Sequence, residues 1–274
     1  MECSFSKYHG TGNDFILIDG RGQETGFLTE PVIRHLCHRR FGIGADGLMV
    51  LLPDEKTDFR MLYFNADGKE GSMCGNGGRC LVSFAHRLGA CGPEARFVGV
   101  DGTHEAKVLP GGEIELRLKA VDRIQPLPDG YLLDTGSPHF VRFVNGLGSI
   151  DMEKDGRSLR WEDRFAPGGV NVNFVEMLPS GHLAVRTFER GVEAETYSCG
   201  TGVTASSLVA ALRDKPGPGR RVVETLGGTL EVRFQKTSDN DYREIFLIGP
   251  AVHVFDGTLH LPVEPTEPRN APGS

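Results

Sequence analysis

Long apolar runs are missing from this chain of 274 residues. No apolar stretch approaches the ~20 residues that a helix needs to cross a bilayer, so we expect no membrane partner. Residues 1–7 include an acidic side chain and lack the apolar core of a secretory leader. We therefore expect a cytoplasmic protein.

Basic stretches are also scarce, and the formal net charge is −7. A phosphate backbone would be a poor partner for such a chain, so we predict no nucleic-acid binding. The one basic cluster, residues 34–40, is interpreted as the solvated end of a helix that begins near Thr29. Positive side chains at that end suit the helix dipole.

Paired cysteine motifs are absent. Zinc sites usually show closely paired Cys and His residues, so we expect no metal. Secreted disulfide scaffolds are shorter and denser in cysteine, which favours reduced thiols here. Most of the thiols are expected to be inert core residues. The six cysteines are Cys3, Cys37, Cys74, Cys80, Cys91 and Cys199.

A repeated glycine-rich pattern indicates a duplicated unit. Residues 74–77 (CGNG) recur as residues 199–202 (CGTG), 125 positions later. Two further pairs recur in the same order at an offset of 124: residues 64–65 with 188–189, and residues 11–13 with 135–137. The period is too long for a solenoid, which repeats every ~20–50 residues. Two domains of ordinary size also suit the chain length.

The duplication predicts an α+β fold with two pseudo-symmetric domains. Each domain is expected to be a curved, barrel-like, mixed or antiparallel β-sheet around one central helix, with the active site in the cleft between them. Helices are predicted over 75–88 and 202–213, and a third over 149–164. The expected domains are 1–119, completed by a late strand over 251–263, and 120–250, followed by a disordered tail over 264–274.

Each repeated cysteine stands at the N-terminal edge of a predicted helix. The first backbone N–H groups of a helix have no partner within the helix, and they stabilise anions. A thiolate there is expected to have a pKa in the range ~3.5–7.5, and the same N–H groups could hold a carboxylate. Two such thiols on opposite faces of one carbon could invert it, one removing the α-proton and the other returning one. Such a reaction requires no metal or other cofactor.

With these residues in view, the sequence resembles the diaminopimelate epimerase family over almost its whole length, from residues 7–15 to residues 253–257. The most specific stretches are 64–68 leading to 74–80, and 189–191 leading to 199–202. The resemblance implies interconversion of LL- and meso-2,6-diaminoheptanedioate, a step in lysine and cell-wall precursor synthesis. It also implies a small diamino dicarboxylate as the binding partner and a homodimer.

The resemblance also assigns roles to individual residues. Cys74 and Cys199 become the catalytic pair, with His139 and Glu189 close to the reaction. Arg190 could hold the distal carboxylate in a bidentate fork, and Glu189 could pair with an ammonium group. The substrate-binding positions carried over are Asn13, Asn65, Gly75, Asn76, Asn171, Glu189, Arg190, Gly200 and Thr201.

Two positions depart from the family pattern. Ser137 stands where many relatives have asparagine, which leaves its contact direct, water-mediated or lost. Gly47 stands where some relatives have glutamine, and it brings no side chain.

Three alternative functions remain open at this point. A proline or hydroxyproline racemase-like enzyme would use the same two cysteines, although Glu189 and Arg190 favour a substrate with a second charged end. A thiol redox sensor would join Cys74 and Cys199 in a disulfide. A binding protein of the same fold would hold an amino acid without turning it over.

Overall fold

The computed structural model describes residues 2–71 and 74–260. The predicted disordered tail over 264–274 and the last residues of the predicted 251–263 strand lie outside these ranges. Within the described residues, no helix has both the length and the apolar character to cross a membrane.

The first half of the chain contains seven strands and two helices: β1 (Glu2–Gly10), β2 (Asn13–Asp19), α1 (Glu30–Cys37), β3 (Gly47–Leu52), β4 (Phe59–Asn65), α2 (Gly75–Arg87), β5 (Glu94–Gly99), β6 (Gly102–Val108) and β7 (Ile114–Leu118). The second half contains β8 (Ile124–Leu127), β9 (Gly130–Asp134), β10 (Pro138–Phe143), α3 (Arg157–Arg160), β11 (Asn171–Met177), β12 (Leu183–Glu189), β13 (Ala194–Thr196), α4 (Gly200–Ala210), β14 (Gly217–Thr225), β15 (Gly228–Ser238), β16 (Asp241–Gly249) and β17 (Val252–His260).

The two halves repeat one topology. In the first half, β1–β2, β3–β4, β5–β6 and β6–β7 pair antiparallel, while β2–β3 and β4–β5 pair parallel. In the second half, β9–β10, β11–β12, β14–β15 and β15–β16 pair antiparallel, while β10–β11 and β12–β14 pair parallel. The predicted pair of similar mixed sheets is confirmed.

One strand crosses from the second half of the chain to the first. The last strand, β17, follows the second half in the chain but pairs with β1 of the first half, whereas β8 pairs with β9 within the second half. The antiparallel pair β7–β16 joins the two sheets directly. These pairings tie the domains together at several points along the chain.

A helix lies at the centre of each sheet, as predicted. Helix α2 buries Leu81, Val82 and Phe84 against strands of the first half. Helix α4 buries Val203, Leu208 and its neighbours against strands of the second. Burying one such side chain contributes ~1.5–3 kcal/mol, so both helices are fixed mainly by packing. Their N-terminal ends are consequently held in fixed positions relative to the sheets.

The prediction of one helix over 149–164 is wrong. The structure has a π-helical turn at Met152–Gly156, the four-residue α3, and a 3₁₀ turn at Asp163–Phe165. Buried apolar residues are spread irregularly through this segment, with Met152, Leu159 and Phe165 packing under β11 and β12. No single apolar stripe exists there to hold one long helix.

Candidate active site

Both repeated cysteines occupy the position immediately before the first residue of a central helix. Cys74 precedes α2 and Cys199 precedes α4, and both have extended backbone angles, with φ of −106° and −108°. The two helix starts meet at glycines, because a Cβ atom on Gly200 would lie 3.9 Å from the Cα of Gly75. Without side chains at these positions, two helix N-termini can approach one point.

Amide side chains surround Cys74. Its Sγ lies 3.5 Å from Asn13 Oδ1, and Asn76 Nδ2 donates to the same oxygen at 3.3 Å. Asn76 Nδ2 also donates to the Ser198 carbonyl at 2.8 Å, across the domain boundary. Asn13 Nδ2 donates to Asp46 Oδ2 at 2.7 Å, which fixes the direction of the Asn13 amide. Asn13 Oδ1 therefore faces Cys74 and accepts a thiol proton.

A buried chain of hydrogen bonds leads to Cys199. Asn173 Nδ2 donates to the Phe140 carbonyl and to His139 Nδ1, both at 3.1 Å. His139 Nδ1 is therefore an acceptor, and its proton is on Nε2, which donates to Thr201 Oγ1 at 2.9 Å. The Thr201 hydroxyl keeps its own proton for Cys199 Sγ at 3.4 Å. His139 thus acts on Cys199 through one hydroxyl.

The predicted low cysteine pKa values are wrong for this structure. Burial raises the pKa of Cys74 to about 11, and the backbone N–H groups of Gly77 and Asn76 offset only part of that rise. Burial raises the pKa of Cys199 further, and the nearby Glu189 carboxylate adds to the rise. Desolvation of a charged sulfur therefore outweighs the helix N-termini. Both groups rest as thiols.

Burial also sets the charge of the two other catalytic candidates. It lowers the pKa of His139 to about 3, so the imidazole is neutral at physiological pH. It raises the pKa of Glu189, while hydrogen bonds from Thr196 and Cys199 work in the opposite direction. Glu189 is within electrostatic reach of both cysteines, because its charge raises the pKa of each.

Asn171, Ser137 and Arg190 form a third group. The backbone N–H of Arg190 donates to Asn171 Oδ1 at 2.8 Å, and Asn171 Nδ2 donates to Ser137 Oγ at 2.8 Å. The Arg190 guanidinium lies 3.5 Å from the same hydroxyl and is otherwise exposed. Ser137 thus contacts both Asn171 and Arg190, whereas the role that the sequence left open for it stays a prediction.

One predicted residue stands apart from these groups. Asn65 lies at the exposed end of β4, and its amide nitrogen is 3.1 Å from the Cβ position of Gly71. Within residues 2–71 and 74–260, its side chain makes no hydrogen bond to another candidate residue.

Sequence reasoning missed Asn173 and Tyr63. Asn173 stands two residues after Asn171 on β11, so both side chains share one face of the strand, a signal that the sequence did contain. Tyr63 leaves no room for a side chain at position 47, because a Cβ atom on Gly47 would lie 2.6 Å from the Tyr63 ring. Nothing in the local sequence indicated that contact.

The remaining thiols belong to the core. Cys3, Cys37 and Cys80 are buried, and burial raises the pKa of each. Cys91 is half-buried, and burial raises its pKa to about 11. In the part of the chain that the structure describes, no cluster of three His, Cys, Asp or Glu side chains is placed to hold a metal ion.

Two mixed sheets around central helices, with a cysteine at each helix start, define an isomerase of the epimerase class. The family model for diaminopimelate epimerase matches residues 5–125 and 131–254. The chain is 45% identical over 262 residues to the diaminopimelate epimerase of Chlorobaculum tepidum, covering 92% of this chain and 99% of that protein. It is 43% identical over 254 residues to that of Flavobacterium psychrophilum, covering 92% and 98%. The chain belongs to the diaminopimelate epimerase family.

Solved structures with much lower sequence identity share the fold. A Bacillus anthracis phenazine biosynthesis protein of the PhzF family superposes with a TM-score of 0.78 at 16% identity, covering 95% of this chain and all of that one. A hydroxyproline epimerase from Agrobacterium vitis superposes with a TM-score of 0.66 at 17% identity, covering 95% and 93%. The fold is therefore common to proteins with several activities, and it does not select the substrate.

Proposed function

We propose that the protein interconverts LL- and meso-2,6-diaminoheptanedioate by two-base proton transfer between Cys74 and Cys199. The observation that carries this proposal is the meeting of the two cysteine-bearing helix starts at Gly75 and Gly200. Membership of the diaminopimelate epimerase family over nine-tenths of the chain supports 2,6-diaminoheptanedioate as the substrate.

The proposed reaction moves one proton off the α-carbon and another proton onto it. One cysteine, as thiolate, takes the α-proton from one face and becomes a thiol. The opposite thiol gives its proton to the other face and becomes a thiolate, so charge and protons balance. The substrate carboxylate would accept hydrogen bonds from N–H groups of the two helix starts, which stabilise the negative charge that develops beside it. The reaction in this form uses no cofactor.

The high pKa values of the two thiols are compatible with this role. An α-proton of an amino acid is weakly acidic, and a desolvated thiolate is a stronger base than an exposed one. The thiol that donates must also keep its proton until the carbanion forms. Burial supports both requirements, provided that one thiol loses its proton before the reaction begins.

The other candidate residues divide between the reacting centre and the distal end. Glu189, within electrostatic reach of both cysteines, would pair with the ammonium group at the reacting carbon. His139 would act through Thr201 on Cys199. Arg190, exposed beside Ser137, would hold the distal carboxylate in a bidentate fork.

A substrate panel tests the proposal against its nearest rival. Purified protein is incubated with LL-diaminopimelate, L-proline or trans-4-hydroxy-L-proline, and the isomers are separated by chiral chromatography. We expect turnover of diaminopimelate alone. Turnover of proline with none of diaminopimelate would replace this proposal with the racemase. No turnover of any of the three would leave an amino-acid-binding protein.

The redox alternative is proposed as a side reaction. If the two sulfurs approach one carbon, an oxidant could join them in a disulfide that removes the base. Oxidised protein should then lose epimerase activity and regain it with a reducing agent. Equal activity of the two forms would exclude the side reaction.

We also propose a cytoplasmic homodimer. Strand β17 pairs on one side with β1 and exposes Val252, Val254 and Phe255, with exposures of 41%, 52% and 45%. An edge strand with exposed apolar side chains is a common docking element. Light scattering after size-exclusion chromatography should give about twice the chain mass, and Val254→Asp should shift it to the monomer.

A further inference from the structure

Arg79 is a buried cation without an acidic partner. Its side chain is fully buried on α2, and its guanidinium contacts the carbonyls of Pro250 and Gly75, each at 3.5 Å, and Asn76 Oδ1 at 3.1 Å. No carboxylate lies within ion-pair distance of it among residues 2–71 and 74–260. Arg160, which is also buried, pairs with Glu193 at 3.0 Å. An uncompensated buried charge is strongly unfavourable, so an anion close to Arg79 would be stabilised.

The ionisable groups that face Arg79 are Cys74, Cys80 and Glu113. Cys80 is enclosed in the core, whereas Cys74 is only partly buried and stands at the helix junction. The groups that face Cys74 in turn are Glu189, Arg79, Tyr63, Cys80 and Cys199. Arg79 is the only cation among these groups.

Hydrogen bonds also connect Arg79 with Cys74. The Arg79 guanidinium donates to Asn76 Oδ1, which turns the Asn76 amide nitrogen toward Asn13 Oδ1. Asn13 Oδ1 contacts the Cys74 sulfur. Arg79 could therefore act by its charge or by orienting Asn76, and the two effects can be separated experimentally.

The internal repeat shows that the charge belongs to one half only. The position 125 residues after Arg79 is Thr204, a neutral side chain whose hydroxyl donates to the Gly200 carbonyl at 2.9 Å. Conversely, the position 124 residues before Glu189 is Asn65. The first half therefore carries a buried cation and the second half a carboxylate, and that carboxylate lies within electrostatic reach of both cysteines.

We propose that Arg79 is a positioning residue that polarises the cysteine pair: its buried guanidinium favours the thiolate at Cys74, while Cys199 keeps its proton. The proposal deepens the function proposed above, because it assigns which of the two thiols loses its proton first. The proton needed on the opposite face is then already in place on Cys199.

The direction of the pKa shifts is consistent with this asymmetry. Burial dominates at both cysteines. At Cys74 the Glu189 charge raises the pKa further, whereas the backbone N–H groups of Gly77 and Asn76 and the Arg79 charge lower it. At Cys199 the Glu189 charge adds to the effect of burial, and only hydrogen bonds from Thr201 and Gly202 act against it.

The test measures thiolate formation directly, without substrate. Iodoacetamide alkylation of Cys74 and Cys199 is followed by peptide mass spectrometry across a pH series, and the midpoint of each rate profile is compared. Midpoints are used because exposure changes the absolute rate and leaves the midpoint in place. In the wild type, Cys74 should have the lower midpoint.

Two substitutions separate charge from orientation. Arg79→Gln keeps a donor for Asn76 and removes the charge, so the Cys74 midpoint should rise by about one pH unit, or about tenfold in thiolate at a given pH. Arg79→Lys keeps the charge and should leave the midpoint close to the wild type. Arg87→Gln is the matched control, because Arg87 lies two turns further along α2 and pairs with Asp256 at 3.0 Å.

Three results would overturn the proposal: a Cys199 midpoint at or below that of Cys74 in the wild type, an unshifted midpoint in Arg79→Gln, or the same shift in Arg87→Gln. A shift in Arg79→Lys that equals the shift in Arg79→Gln would show that the charge is not responsible and would also overturn it. If Arg79→Gln does not fold, the order of the Cys74 and Cys199 midpoints in the wild type and the Cys74 midpoint in Arg79→Lys still test the proposal. Because no turnover is measured, a failure here is distinct from a failure of the proposed function.

Discussion

Thr201 connects two of the candidate catalytic residues, His139 and Cys199. One hydroxyl accepts from the neutral His139 and faces the sulfur of Cys199. It is the only group through which His139 contacts Cys199 by hydrogen bonds within the described residues. The histidine predicted beside the reaction is therefore connected to the sulfur through threonine.

Thr201→Val removes this hydroxyl and keeps the shape of the side chain. A hydrogen bond to a charged group contributes about 1.5–3 kcal/mol, so epimerisation should fall roughly 10- to 100-fold. The alkylation midpoint of Cys199 should also rise, because the thiolate loses a donor. Thr204→Val is the matched control, since that buried hydroxyl contacts only the Gly200 carbonyl. Equal losses in both variants would show a packing effect instead.

Because His139 is buried in its neutral form, we expect the free energy of unfolding to depend on pH. Its folded pKa is about 3, well below the ordinary histidine value of 6.5, so between these values the unfolded chain binds a proton that the folded chain does not. Stability should therefore fall as the pH drops from 6.5 toward 3, by at most about 1.4 kcal/mol per pH unit from this group.

Urea unfolding of wild type and His139→Gln at pH 7 and pH 4.5 measures this contribution. The wild type should lose more stability over this interval than the variant. His86→Gln, at an exposed position, should lose as much as the wild type. Identical losses in wild type and His139→Gln would contradict the buried neutral histidine.

The sequence predicted the positions of the two cysteines because a helix start is a local feature, marked by glycines before an apolar segment. Their pKa values could not be predicted in the same way. Local reasoning counts the helix N–H groups, whereas burial depends on neighbours such as Leu247, whose methyl group lies 3.2 Å from the Cβ position of Gly75. The orientation of Asn173 toward His139 likewise depends on the pairing of β10 with β11.

At the element scale, α4 is held against β11 by a glycine. A Cβ atom on Gly202 would lie 2.2 Å from Asn173 Oδ1. The glycine therefore sets how closely the helix start approaches the amide that orients His139.

Gly202→Ala should destabilise the protein by about 1–3 kcal/mol through overpacking. In an exposed helix the same change would stabilise the protein by about 1 kcal/mol. The sign of the change in the free energy of unfolding therefore shows whether packing against Asn173 dominates. Urea unfolding measures the difference, with Gly148→Ala as the control because its Cβ position has open space around it. A stabilised Gly202→Ala would contradict the packing described here.

The two central helices were predictable from the sequence, whereas one short strand of the second half was not. The two central helices were expected close to their observed ranges. Strand β8, with only four residues and a proline, was missed, because proline argues against a strand unless the strand lies at an edge. It is defined by its pairing with β9 and not by its own sequence.

At the scale of the whole molecule, the domains meet along a close seam. The Thr11–Gly12 turn of the first half packs against Tyr197 and Gly227 of the second, and Gly227 N–H donates to the Tyr197 carbonyl at 2.9 Å. We propose that the domains comprise residues 1–119 with β17, and 120–250. Their seam then fixes the distance between the two helix starts.

Gly227→Ala tests the seam. Its Cβ atom would lie 1.8 Å from the Thr11 carbonyl oxygen, so the domains must move apart. A displacement of about 1 Å at a catalytic centre can cost about 100-fold in rate, so epimerisation should fall strongly while each domain stays folded. Activity assays with circular dichroism measure both, and Gly26→Ala, in open space, is the control. Full activity in Gly227→Ala would show that the seam does not position the cysteines.

The duplication itself was predictable from three matched segments at nearly one offset. The direct pairing of β7 with β16 was not, because sequence similarity between halves does not show which strands join the two sheets. The seam between Thr11 and Gly227 is likewise a contact between residues far apart in the chain.

The central claim is that two sulfurs act on opposite faces of one carbon. The most direct measurement is incubation of LL-diaminopimelate in D₂O with wild type, Cys74→Ala and Cys199→Ala, scored for isomer by chiral chromatography and for α-deuterium by mass spectrometry. The wild type should invert the carbon and place one deuterium on it. Each variant, folded by circular dichroism, should lose at least about 100-fold in inversion, since one proton transfer is missing. Inversion at the wild-type rate in either variant would contradict the account.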